Sequence, residues 1–537
     1  MNPYLLIFLA TGATTIRVLG LTLLSIVTGW FLAYGAIKSK YFENIYISVI
    51  EVFESVPVIS FFPIVLVIFI TRIGGPLGVE LAADFLVFTA VVWNIWMAEY
   101  QAFKTVPREM EEVVDNIDLG FFGKLSKLYI PFSIPRIAAN LFPSVSDGFF
   151  YITVSEVIEV GTHTYQTFGI GTLLTDFSNN IFLTEMSLLV MSFFVIATIA
   201  ILREYTKRAV ARYTLDTDAP IIRRGRLNTR QTSRIASVIS KNPFSRLSSY
   251  YRYQNLDIEE KFEKLEKKKK YYRYVYIAIG LFILILLLYG SASLIISVKA
   301  DQWFYLFSKT PEIIIYLAYD YARVATILLI SLAIAIFLGY YLAVNKRAES
   351  VGIPIIQTLS AYPAPIYFPF VFIFTLPFIS KFFGPYTDEF YVLAIGFIST
   401  FYYVFYSFWM GVKALPSEYW ELMKNMNMGY FKKMRYIIIP AAFPYLISGI
   451  SSTINSAWGG LMIGEYWPNI YGDKSLYVHT GLMKLIDVAT ANGNIELAAW
   501  ASFIFSIVVV IYSILFTRKM MDLARKKYVA EEGIYAA

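Results

Sequence analysis

A charged segment of thirty residues occurs twice in this chain, in one unbroken register at a numbering offset of 309. In the first copy, Val106-Pro107-Arg108-Glu109 leads through Glu112, Asn116, Gly120, Phe122 and Lys124 to Pro131 and Pro135. In the second, Leu415-Pro416-Ser417-Glu418 leads through Glu421, Asn425, Gly429, Phe431 and Lys433 to Pro440 and Pro444. Each copy is set between long apolar runs, so one polar surface is offered twice on one side of a membrane. That arrangement points to a transporter with internal two-fold symmetry.

A membrane is demanded by composition. The 537 residues are 57% hydrophobic and 16% charged, with a mean hydropathy of +0.57, too apolar for a soluble chain of several domains. A span needs about 20 apolar residues, because a hydrocarbon layer of about 30 Å is crossed at about 1.5 Å per residue with every backbone group satisfied internally. Eleven such runs are expected, near 14–37, 48–70, 84–103, 137–158, 187–205, 274–297, 323–344, 353–377, 390–411, 446–465 and 499–517. The fold class is therefore all-α membrane protein. Met1 to Arg17 lacks a leading basic region and a small-residue cleavage site, so it is not expected to be a removable signal peptide.

Orientation follows from where the basic residues fall. With Lys38 and Lys40 placed inside, cytoplasmic segments hold 38 of the 46 Lys and Arg and outer loops hold six. The amino terminus is expected outside, the carboxyl terminus inside, and both charged loops inside. A formal net charge of +7 is then a mark of topology, and nucleic acid is not needed to explain it. The chain has no Cys and two histidines, His163 and His479, which excludes disulfides, thiol nucleophiles and a zinc-binding spacing.

Outside the loops the halves still correspond. Arg17 matches Arg323, Tyr34 matches Tyr340, and Pro57, Phe62 and Pro63 match Pro363, Phe368 and Pro369, all at an offset of 306; Glu156 matches Glu465 at 309. The expected domains are a first five-span half over 1–205 with its loop at 106–135, a basic cytoplasmic linker over 206–273, a return span over 274–297, and a second five-span half over 298–537 with its loop at 415–444. A half that begins outside and ends inside needs one extra crossing before a parallel copy begins, which gives span 274–297 its reason. The linker carries Arg223-Arg224-Gly225-Arg226 and Lys267-Lys268-Lys269-Lys270. It reads as a solvated tether, with contact to anionic membrane lipid as the alternative.

Each loop is expected to form two short helices with a bend. Pro107 and Pro416 suit the first turn, and Glu109 and Glu112, or Glu418 and Glu421, suit the positive end of a helix dipole. Asp118 and Asn427 tolerate a left-handed turn ahead of Gly120 and Gly429, and Pro131 and Pro440 close the element.

This pattern resembles the cytoplasmic "EAA" loop of the membrane subunits of binding-protein-dependent ABC importers. It reads Glu112-Val113-Val114 with Asp118 and Leu128-Tyr129-Ile130-Pro131, then Glu421-Leu422-Met423 with Asn427 and Ile437-Ile438-Ile439-Pro440. Here the two alanines are bulkier apolar residues and the usual glycine is Asp or Asn. Arg17-Val18-Leu19-Gly20, Pro57 with Phe62-Pro63, Glu156 with Gly169-Ile170-Gly171-Thr172-Leu173, Pro363 with Phe368-Pro369, and Glu465 are similar to the nitrate/sulfonate/taurine branch. The resemblance implies the type I importer permease fold in a duplicated, single-chain form. It also implies two cytoplasmic ATPase subunits, an extracellular solute-binding protein, and a small anionic solute such as nitrate or a sulfonate. Each loop would act as a coupling helix that lays Val113, Val114 and Ile117, or Leu422, Met423 and Met426, into a groove on the ATPase.

No cofactor is expected in this chain, because ATP and Mg would be bound by the partner subunit. A phosphate-cradling loop needs Gly, four residues, then Gly-Lys-Ser/Thr. Gly120-Phe121-Phe122-Gly123-Lys124 fails that test, since Leu125 follows the lysine. No enzymatic activity is expected, and the rival reading is an ion-coupled secondary transporter, which would carry an ion relay at mid-membrane. Candidate pathway or gate residues are Pro57, Pro63, Asp147, Glu156, Pro363, Pro369, Asn455 and Glu465, with Ser146, Ser452 and Ser456 as further polar contacts. Glu156 and Glu465 are expected chiefly to anchor a neighbouring loop, and Arg17 and Arg323 to attract an anion or to snorkel to the outer interface.

Overall fold

In a computed structural model, the described residues are 2–55, 58–61, 65–117, 119–160, 163–177, 180–213, 298–413, 415–471, 474–512 and 520. The linker beyond Tyr213, span 274–297, Pro57, Pro63 and Asp118 lie outside them. The first half is built from α1 (Pro3–Lys38), α2 (Lys40–Ser55), α3 (Gly75–Lys104), α4 (Arg108–Asn116), α5 (Ile130–Ser155), α6 (Ile170–Asp176) and α7 (Ile181–Tyr213). The second comprises α8 (Ala300–Ile334), α9 (Lys346–Ala361), α10 (Ala364–Phe383), α11 (Thr387–Lys413), α12 (Ser417–Asn425), α13 (Ile439–Gly464), α14 (Leu482–Ala491) and α15 (Ile495–Tyr512). Among the described residues, six helices or helix runs are long and apolar enough to cross a membrane. The expected span at 48–70 is interrupted, with α2 ending at Ser55, a short 3-10 turn at Val58–Phe61 and a π-helical stretch at Leu66–Ile73.

The element bounds repeat at the offsets read from the sequence. α2 and α9 begin and end 306 apart; α4 and α12, and α5 and α13, do so at 309. A short helix and a π-helical turn precede α5 at Phe121–Lys124 and Leu125–Tyr129, and precede α13 at Tyr430–Lys433 and Met434–Ile438. Pro76 stands in the first turn of α3, where the missing N–H costs nothing, whereas Pro131 and Pro440 follow π-helical turns that run on into α5 and α13. Pro363 stands in the break between α9 and α10, whereas Pro369 lies inside α10.

In lipid, helices associate by close packing more than by the hydrophobic effect, so small residues mark the seams. A Cβ on Gly460 of α13 would lie 2.7 Å from the Gly396 Cα of α11, and one on Gly449 would lie 2.6 Å from the Ser407 Cβ. In the first half, a Cβ on Gly148 of α5 would meet Val18 of α1 at 2.8 Å and Val91 of α3 at 3.1 Å. The second half closes around Trp458, Phe505 and Ile313, and the first around Phe149, Ile95 and Met191.

Contacts between the halves are reciprocal. α2 packs on α15 and α9 on α7, while the 58–61 turn meets α13 and α10 meets α5.

Two antiparallel hairpins escaped the sequence reading. β1 (Val157–Val160) pairs with β2 (His163–Gln166), and β3 (Tyr466–Tyr471) pairs with β4 (Lys474–Tyr477), each directly after the long helix of its half.

Candidate functional site: loops, ion clusters and a central cavity

The charged loops sit at one end of the long helices. Pro107 and Pro416 are the residues that cap α4 and α12, and Glu109, Glu112, Glu418 and Glu421 are exposed. Asn427 has φ of 50°, the only positive value on a non-glycine among the described residues, so the left-handed turn falls where the sequence puts it. Gly120 and Gly429 are exposed, extended residues that cap the next short helix, and Pro131 and Pro440 lie in the first turns of α5 and α13. The first loop is tied down by Tyr129, whose hydroxyl donates to Glu111 at 2.5 Å. Lys124 hydrogen-bonds Asp115 and holds its carboxyl below the usual carboxylate range.

The helices in these loops have two apolar faces, and this corrects the expected docking surface. Val113 and Ile117 are 56% and 55% exposed, Leu422 is 45% and Met426 63% exposed, and Phe122 and Phe431 are exposed as well. Val114 instead packs with Met110 on Phe103 and Tyr129, and Met423 is buried with Tyr419 packed beside it. The cause is the helical period: residues four apart share a face, whereas adjacent residues diverge by about 100°.

At the opposite end of the helices stands an ion cluster in each half. Arg17 donates to the buried Glu156 at 2.7 Å, pairs with Glu80, and lies 3.3 Å from Asp84. Arg323 reaches Asp320 at 2.9 Å, Glu465 at 3.0 Å and Glu389 at 2.5 Å, and donates to the Thr480 carbonyl at 2.7 Å. Glu156 also accepts from the Gly171 N–H at 2.7 Å, and Glu465 from the Lys484 N–H at 3.2 Å. Thr14 and Asp320 occupy equivalent places and accept from the first backbone N–H of α6 and α14, at Ile170 and Leu482. Glycine is required by close approach: a Cβ on Gly169 would lie 2.0 Å from Glu156 Oε1, and one on Gly481 would lie 2.1 Å from Glu465 Oε2. The arginines are therefore held by carboxylates and do not stand as free cations. The overlooked signal was that Glu80 matches Glu389 at the same offset of 309 that relates Glu156 to Glu465.

Between the halves lies a cavity of about 90 Å³. It is lined midway along α3 and α11 by Thr89, Trp93, Asn94, Ser399, Tyr402 and Tyr403, and along α5 and α13 by Ser146, Asp147, Tyr151, Ser452, Asn455 and Ser456. Tyr362 and Pro363 close it from the second half. The Tyr403 hydroxyl donates to Asp147 Oδ2 at 2.9 Å, and the Ser146 hydroxyl donates to the Ser360 carbonyl at 3.0 Å. Asp147, Asn455 and Pro363 are thus brought together. Glu156 and Glu465 stand apart in the ion clusters, and Pro369 does not line the cavity. The lining faces of α3 and α11 were not anticipated. Their signal was correspondence, since Trp93 and Asn94 stand in register with Tyr402 and Tyr403, as Asp147 does with Ser456.

Residues 331–527 match the family described as binding-protein-dependent transport system inner membrane component. The match takes in the second charged loop, α13 and Glu465. The chain is also similar to the putative aliphatic sulfonates transport permease protein SsuC of Bacillus subtilis (strain 168), 24% identical over 144 residues, which are 27% of this chain and 48% of that relative. The chain thus spans about half the length of the curated relative it matches.

Proposed function

We propose that this chain is the transmembrane permease subunit of an ATP-driven importer. It forms the pathway for a small solute delivered by an extracellular binding protein, and works as a multi-pass protein of the plasma membrane with both charged loops in the cytoplasm. The observation that carries this reading is the pair of loops: α4 and α12 have the same length and place, and each exposes an apolar ridge beside exposed glutamates. Such a ridge is suited to a helix-in-groove contact with a cytoplasmic ATPase subunit, one per loop. The family match across 331–527 supports it from the second half, and the shared element bounds support a single-chain pair of halves. ATP-driven approach of two ATPase subunits would draw the loops together and rock the halves about the cavity, alternating its access.

The relative's name would make the solute a sulfonate. The cavity, with Asp147 and no Lys, Arg or His in its lining, does not favour that class.

The test is co-purification with the ATPase. Wild type should co-elute and support ATP turnover, whereas Val113→Asp/Leu422→Asp should lose both. A wild-type chain that binds no ATPase yet moves solute down an ion gradient would establish a secondary transporter instead.

A further inference from the structure

We infer that the cavity between the halves selects a small cationic solute, one carrying an ammonium or similar group, with Asp147 as its counter-charge. This rests on the permease reading and specifies its substrate class.

Among the residues lining the cavity, Asp147 is the single acidic residue, and no basic residue accompanies it. The two arginines nearest in kind, Arg17 and Arg323, are each engaged by three carboxylates in the ion clusters. An anion entering the cavity would therefore meet a carboxylate and no compensating cation, whereas a cation would find an opposite charge in a low-dielectric setting.

The remaining groups suit a cation as well. Tyr403 donates to one oxygen of Asp147 and fixes the carboxylate from the second half. The Asn94 and Asn455 amides and the Ser399 and Ser452 hydroxyls supply oxygen acceptors. Trp93, Tyr151 and Tyr402 add aromatic rings to the lining, a residue type that attracts ammonium groups through the ring quadrupole. Ser146 has its hydrogen committed to the Ser360 carbonyl and so offers lone pairs inward, not a proton. A volume of about 90 Å³ admits a small solute.

The experiment uses the full chain with its ATPase in lipid nanodiscs, titrated with ethylammonium chloride and, separately, with sodium ethanesulfonate at equal ionic strength. Intrinsic fluorescence and melting temperature are read together. Ethylammonium should bind saturably to wild type, at least tenfold more weakly to Asp147→Asn, and within a few-fold of wild type to Asp147→Glu, while ethanesulfonate gives no saturable response. Equal or preferential binding of ethanesulfonate, an Asp147→Asn protein that binds ethylammonium unchanged, or silence from both probes overturns the proposal. Should Asp147→Asn not assemble, the wild-type preference between probes decides alone. ATPase co-elution and turnover in the same wild-type preparation report on the permease reading independently: their loss sinks that reading, whereas intact turnover with sulfonate preference sinks the substrate class only.

Discussion

At the scale of single residues, Arg17 and Arg323 show how a charge deep in an apolar protein is made tolerable. Each is surrounded by carboxylates from several elements, and each cluster fastens the helix after the hairpin to the long helix of its half through Glu156 or Glu465. Removing one partner of a buried pair typically costs about 3–5 kcal/mol, because the other charge is left uncompensated. Arg323→Ala strands Asp320 and Glu465, both 0% exposed, so it should lower the melting temperature strongly. Arg17→Ala should cost less, since only one of its partners, Glu156, is fully buried, and Glu80 and Asp84 are 43% and 30% exposed. A melting comparison in nanodiscs checks the order, and equal losses would contradict it. Gly169→Ala and Gly481→Ala put a carbon within about 2 Å of a carboxylate oxygen and should likewise lower thermal stability, despite the small size of the change.

At the scale of elements, α4 and α12 divide their apolar residues between two tasks. Val114 and Met423 hold each helix to its own spans, while Val113 and Leu422 face outward. Met423→Ala should cost about 2–5 kcal/mol, as for other buried large-to-small changes. Val113→Ala/Leu422→Ala should leave melting unaltered and weaken ATPase co-elution. Size-exclusion profiles beside melting curves separate the two effects. The helices, their first-turn prolines and the left-handed Asn427 were legible because each depends on local chemistry. Facing was misjudged because adjacent apolar residues were grouped by sequence, and facing obeys the helical period. The hairpins were missed because Val157–Val160 and His163–Gln166 are four-residue strands with no clear alternation, set by the turn and by the helix ends they join. Pro369, expected as a pathway residue, instead lies buried inside α10.

At the scale of the whole molecule, correspondence between the halves was readable from residue offsets, but the cavity was not. Its walls come from four helices distant in sequence, and only Asp147, Ser146 and the polar run of α13 stood out within apolar spans. The chain has no cysteine, so Ser126→Cys/Arg435→Cys, exposed positions beside the loops and 309 apart, can carry two spin labels without background. Their separation should shorten when ATP and vanadate are added to the ATPase-bound protein, and an unchanged distance would argue against coupling through these loops. Asp147 is matched at the offset of 309 by Ser456, which carries no charge. A channel assembled from two identical subunits shows every side chain in pairs, so its axial charges come as none or two, and two facing carboxylates would contend for a single counter-ion. A single polypeptide carrying both halves, as proposed, would lift that parity rule and let a lone acidic group stand between them.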